Sequence, residues 1–195
     1  MSGRAIPRFS RTELAAYEGA LVGDLLDERT RLLFVGINPG LWTAAVNAHF
    51  ARGGNRFWPA LHRAGILPTL IDARGGMSPD DAELVLASGI GITNLVPRAS
   101  ARADELSRPE LIAGGQRLVE LVHTARPRVV AVLGLTAYRQ AFARRDAIAG
   151  AQPAPIGESQ LWVLPNPSGL NAHETIDTLA VAYRAAADAA GLLKP

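Results

Sequence analysis

The chain has 195 residues, a formal net charge of +2 and no cysteine. That length fits one domain over residues 1–195 with a single core, and the missing thiols exclude disulfides, Cys-ligated zinc and iron–sulfur clusters. His49, His62, His123 and His173 lack metal-ligand spacing, so neither a metal nor a cofactor is expected. No apolar run approaches membrane-spanning length, and none follows the basic N-terminus, which predicts a soluble cytoplasmic protein. Lys194 is the sole lysine among 20 basic residues. Arginine suits bidentate phosphate contacts, although a GC-rich genome produces the same bias; the small net charge favours a local basic face over a protein that coats a polyanion.

In chain order, residues 1–11 are expected to be disordered. Leu14, Ala15, Tyr17, Leu21, Leu25 and Leu26 then recur at helical spacing behind a possible Thr12 cap, predicting a leading helix over 12–27. Arg31 to Ile37 reads as a buried strand, and Asn55 to Ala64 as a helix with Phe57, Trp58 and Leu61 on its apolar face. Ser78-Pro79-Asp80-Asp81 is a helix start and Gly89 to Val96 a second strand. After a polar loop over 97–107, Ser107 opens a helix to about Thr124. Val129 to Leu133 is the third strand, Thr136 to Arg145 a helix, Ala151 to Pro155 a surface loop, Leu161 to Leu164 the fourth strand, and about His173 to Ala190 the last helix. Strands separated by crossover-length helices imply a three-layer α/β/α sandwich around a mostly parallel, four-stranded sheet.

Two turns, Gly36-Ile37-Asn38-Pro39-Gly40 and Asn166-Pro167-Ser168-Gly169-Leu170, each follow an apolar strand. In open α/β sheets, reactive groups gather just beyond the carboxyl ends of strands. Glycines let a ligand approach the backbone, and Pro39 stiffens the loop presenting the Asn38 amide. The first turn lacks the lysine and hydroxyl of a phosphate-binding P-loop.

Gly36-Ile37-Asn38-Pro39-Gly40-Leu41, Phe50, Asn55-Arg56-Phe57-Trp58, Gly91-Ile92-Thr93-Asn94-Leu95-Val96, Gly114-Gly115 and Asn166-Pro167-Ser168-Gly169-Leu170 resemble, in order, the mismatch-specific uracil-DNA and thymine-DNA glycosylase family across about residues 31–190. The resemblance implies a uracil-DNA glycosylase fold, double-stranded DNA with uracil or other mismatched or damaged bases as partner, use at the nucleoid, and hydrolysis of the glycosidic bond of an extruded base; monomeric action is taken as the default. It makes Asn38 the residue that positions water; Ile37, Thr43, His49, Phe50 and Asn94 the base pocket, with Phe50 stacking on the base; and Asn166, Ser168, Gly169 and Leu170 the DNA-binding turn, with Leu170 as wedge. A neutral amide is no general base, so bond breaking must run ahead of attack. Trp42 and Thr43 fall at a pocket floor that is usually small in the family, which predicts uracil over thymine. Ala172 and His173 stand where bacterial relatives often carry an arginine near the wedge. Arg56 and the arginines of 97–108 are expected to be solvated or to meet phosphates. Two other readings stay open: the same fold acting on an etheno or deaminated purine base, and a module that flips lesions without cutting.

Overall fold

The computed structural model describes residues 5–193, so residues 1–4, within the stretch expected to be disordered, and Lys194 lie outside the described residues. Phe9 packs edge-on against Trp42, with ring centroids 5.1 Å apart, and Ser10 caps a short helix α1 (Arg11–Ala15) in a reciprocal capping box with Glu13. The leading helix expected over 12–27 ends there. Gly19 takes φ +76°, which breaks helical progression, and residues beyond it run extended: Leu25 exchanges backbone hydrogen bonds of 2.9 and 2.7 Å with Ile92. The helical spacing of the leucines came from a segment that instead lies along the sheet.

The strands are β1 (Leu32–Gly36), β2 (Ile90–Asn94), β3 (Val129–Leu133), β4 (Gly150–Ala151) and β5 (Gln160–Leu164), in the order β2-β1-β3-β5-β4. The first, second, third and fifth are parallel, as the apolar runs predicted; β4 adds an antiparallel fifth strand at the edge of β5. Two residues starting with glycine carry no strand pattern, so Ala151 read as loop. Side chains alternate across the sheet. Phe34, Ile92, Ala131 and Leu164 pack with helices α3 (Phe57–Arg63), α4 (Pro79–Ala87) and α7 (Ile176–Ala189), while Leu33, Val35, Val130, Val132 and Val163 pack with α5 (Arg108–Ala125) and α6 (Leu135–Ala141). The result is the expected sandwich of helices on both faces.

Helix α5 lies unusually near its neighbours. A Cβ on Gly115 would sit 2.9 Å from the Ala141 carbonyl oxygen, so only glycine permits this approach. A further helix, α2 (Leu41–Val46), not anticipated from sequence, follows the first turn; six residues give too little periodicity to detect. Chain order reverses direction around β1, with β2 on one side and β3 on the other, and such a switch point opens a crevice at the carboxyl ends of the strands.

Candidate active site

A cleft of about 440 Å³ occupies that crevice. Gly36, Ile37 and Asn38 line it from the end of β1, Asn94 from β2, Leu133 from β3, and Asn166, Ser168 and Leu170 from the turn after β5; Thr43, His49, Phe50, Arg52 and Asn55 close one wall and residues 100–104 the other. Of the ten residues expected to form the site, the fold brings nine to this lining. Gly169 sits beside it, and a Cβ there would be 2.8 Å from the Gly54 carbonyl oxygen, so glycine lets the two loops touch.

The Asn38 carboxamide is held from one side only. Its Nδ2 donates to the Ser100 hydroxyl at 2.8 Å, the Pro39 carbonyl at 3.1 Å and the Arg98 carbonyl at 3.3 Å. Those acceptors take both amide hydrogens and fix the orientation of the group, because Oδ1 in their place would face two carbonyl oxygens. Oδ1 is thereby left as an acceptor with no protein donor among the described residues. Asn94, only 4% exposed, ends β2 with its carboxamide leaning over Gly36, and among the described residues that side chain also makes no hydrogen bond. Any Cβ at position 36 would collide with Asn94 Oδ1 and stand 3.4 Å from Phe50 Cζ.

Phe50 has φ +54°, uncommon for a bulky residue, and its ring stacks on Phe57 with centroids 3.9 Å apart at 25°. Phe57 in turn meets Phe34 edge-on at 5.2 Å, so the aromatic wall is anchored in the core. His49 is buried. Its Nε2–H donates to the Gly23 carbonyl at 2.9 Å, and burial pushes the imidazole below its ordinary value of 6.5, which keeps it neutral at physiological pH. His49 is therefore a fixed residue of the wall, its ring tied to the Gly23 carbonyl.

The second turn is stiffened by its own side chains. Asn166 Oδ1 accepts from the Ser168 N–H at 2.9 Å, Ser168 Oγ from the Leu170 N–H at 3.3 Å, and the Asn171 amide donates to the Asn166 carbonyl at 3.1 Å. Leu170 is 74% exposed at the tip of this rigid loop, an apolar side chain turned to solvent at the cleft mouth.

Two expectations need correction. Arg56 is neither solvated nor free for phosphate: its guanidinium donates to the carbonyls of Ser168, Glu174 and, at 2.8 Å, Asn171, while its N–H donates to Pro167 O at 3.0 Å. Trp42 is not at the pocket floor, because its indole N–H donates to the Arg74 carbonyl at 3.0 Å and its ring meets Phe9. Thr43, one residue on, does line the cleft and is buried. Within the 97–108 loop, Arg98 pairs with Glu110 and Glu18, and Arg102 with Asp104. The sequence reading missed Ser100, which lies 62 residues from Asn38 with no local pattern to connect them. It also passed over Arg52 on the cleft rim, which among the described residues has no ion-pair partner.

The family model for the uracil DNA glycosylase superfamily matches residues 24–188. The chain belongs to that superfamily. Its fold is also similar to the solution NMR structure of a candidate uracil DNA glycosylase from Methanosarcina acetivorans, with a TM-score of 0.60 and 16% identity over 90% of this chain and 98% of that one. Membership of the uracil DNA glycosylase superfamily supports a DNA glycosylase role. Among the described residues no helix is long and apolar enough to cross a membrane, and no group of three His, Asp or Glu side chains could hold a metal ion.

Proposed function

We propose that the protein is a monofunctional, mismatch-directed uracil-DNA glycosylase of base excision repair, acting as a monomer on a nucleotide extruded from duplex DNA. The observation that carries this reading is the Asn38 carboxamide, a lining residue of the cleft beyond β1, whose Nδ2 is consumed by three acceptors while Oδ1 has no protein donor among the described residues. Such an oxygen accepts one hydrogen of a water and aims its lone pair at the anomeric carbon. It cannot take the proton before attack, since a neutral amide is a very weak base, so the glycosidic bond must be largely broken when water adds. The developing pyrimidine anion needs donors, and the Asn94 carboxamide, unpaired among the described residues, supplies an N–H of that kind at the cleft wall. Phe50, braced by Phe57, offers an aromatic wall for the extruded base, where stacking contributes roughly 1–3 kcal/mol.

Among the described residues that line the cleft none carries an amine that would form a Schiff base with an abasic sugar, which supports simple hydrolysis. Leu170 is suited to fill the gap left in the duplex, because an apolar wedge replaces stacking without needing hydrogen bonds. Buried Thr43, stiff at χ1, narrows the wall against a 5-methyl group and favours uracil over thymine. Labelled duplexes carrying U:G, U:A or T:G and single-stranded uracil, treated with protein and then alkali, test the reading. Strand breaks are expected with U:G in excess of T:G. Binding without abasic sites would instead indicate a lesion sensor, and cutting restricted to etheno or deaminated purine bases would move the substrate.

A further inference from the structure

We infer that Ser100 is a positioning residue for excision: its hydroxyl is the nearest of the three acceptors that hold the Asn38 carboxamide in one orientation, and so steadies the place where the attacking water is held. The inference rests on the proposed role of Asn38 and adds a residue outside the motif that carries it.

Ser100 is 1% exposed, and its Oγ makes two hydrogen bonds of opposite sense. It donates its one hydrogen to the Arg102 carbonyl at 2.7 Å, an oxygen that can only accept. The lone pairs of Oγ are then the only way it can meet Asn38 Nδ2 at 2.8 Å, so the hydroxyl is locked as an acceptor toward Asn38. This is the shortest of the three contacts to that amide, the Pro39 and Arg98 carbonyls standing at 3.1 and 3.3 Å. An Asn rotated by 180° about its terminal bond would put Oδ1 against three acceptors. With Ser100 in place, Oδ1 has one direction left, into the cleft.

The backbone holds Ser100 independently of its hydroxyl. Its N–H donates to the Pro39 carbonyl at 3.1 Å, and Gly40 and Ser100 form a parallel bridge, so residue 100 travels with the first turn whatever its side chain. Removing Oγ therefore takes away the shortest of the three holds on the amide, leaving the two longer carbonyl contacts, without moving the loop. Serine also closes a chain of command across sequence: the 97–107 loop, apparently a mere connector, orients a group on a turn 62 residues earlier.

The test is a double-mutant cycle on a U:G duplex under single-turnover conditions, with duplex affinity and thermal unfolding measured for each protein. Ser100→Ala is expected to lower the excision rate by about 3-fold to 10-fold, the scale of one hydrogen bond lost while Nδ2 keeps its two longer carbonyl contacts, with affinity within about 2-fold of wild type. Ser100→Thr, which keeps a hydroxyl, should recover most of that rate. In an Asn38→Ala background, Ser100→Ala should cost nothing further, because its effect passes through the missing amide. If Ser100→Ala keeps the wild-type rate, or the two losses multiply, the inference fails. A fall in unfolding temperature that accounts for the lost rate would overturn it equally. If wild-type protein leaves every uracil oligonucleotide intact, the proposed function fails and not the geometry of Ser100; the side-chain amide signal of Asn38 in a ¹H–¹⁵N spectrum then decides, exchanging with solvent faster in Ser100→Ala than in wild type if the inference holds and at the same rate if it does not.

Discussion

Replacing Arg56 by lysine asks whether a rigid second turn is needed only for duplex DNA. The guanidinium reaches the carbonyls of Ser168, Asn171 and Glu174 at once, a planar fork spanning three separate points of one loop. A lysine ammonium is a point donor on a different stem and reproduces at most one of these contacts. Two lost charge-assisted hydrogen bonds correspond to about 3–6 kcal/mol if the freed carbonyls stay dry. The loop is partly solvated, with Leu170 and Gly169 exposed, so water recovers much of this and a local cost of about 1.5–3 kcal/mol is the realistic figure. That suffices to populate disordered forms of residues 168–174 without unfolding the sheet. Excision from a U:A duplex, where the proposed wedge Leu170 must compete with a stable pair, is expected to drop at least about 10-fold, whereas single-stranded uracil, already unstacked, should lose less than about 3-fold. Equal losses on the two substrates, with an intact unfolding transition, would show that Arg56 serves the cleft in general and would refute the argument.

Three further outcomes follow from separate features. Leu170→Ala should leave stability within about 0.5 kcal/mol, since the side chain is 74% exposed, yet reduce excision more on U:A than on U:G; thermal unfolding and the two rates check both halves. Arg52→Gln should weaken duplex binding and flatten the slope of log affinity against log salt by about 0.9, the value for one phosphate contact; an unchanged slope would leave Arg52 out of the interface. The Arg98 guanidinium, followed by the Ser107 N–H and hydroxyl, holds the Glu110 carboxyl at about 2, below its ordinary 4.5. The depressed value means that its stabilising effect is fully present above pH 4.5 and is lost as pH falls toward 2. Unfolding temperatures measured across that window should decline less steeply for Glu110→Gln.

The central sheet could be read from sequence because its strands are buried on both faces, and each becomes an unbroken apolar run such as Val129 to Leu133. Helices opened by Ser78-Pro79 and Ser107-Arg108-Pro109 were equally legible, since the caps are local: each serine accepts from the N–H three residues on. The segment around Leu21 and Leu25 misled because its apolar spacing fits a helix while Gly19 and Gly23 and the open edge of β2 favour an extended path. Asn38 and Leu170 were visible because each belongs to a short motif whose residues are adjacent in the chain, and Phe50 because of its spacing from Asn38.

What motif reading cannot supply is the polarity of a hydrogen-bond network. The sequence places an amide at position 38, but an amide has two unlike ends, and only one of them can hold a water for attack. Which end faces the cleft is decided by acceptors contributed from Pro39, Arg98 and Ser100, and the last two arrive through the pairing of a distant loop with the first turn. Arg56 presents the same problem with the opposite consequence. Its charge suggests a phosphate, yet three carbonyls of the second turn converge on it and turn a candidate DNA contact into the brace that holds Leu170 at the cleft mouth. In both cases the residue type was readable and its direction was not, because direction is set by partners that share no sequence neighbourhood. Variants that alter those partners, and not the motif residues themselves, are therefore the sharper probes of how this cleft works.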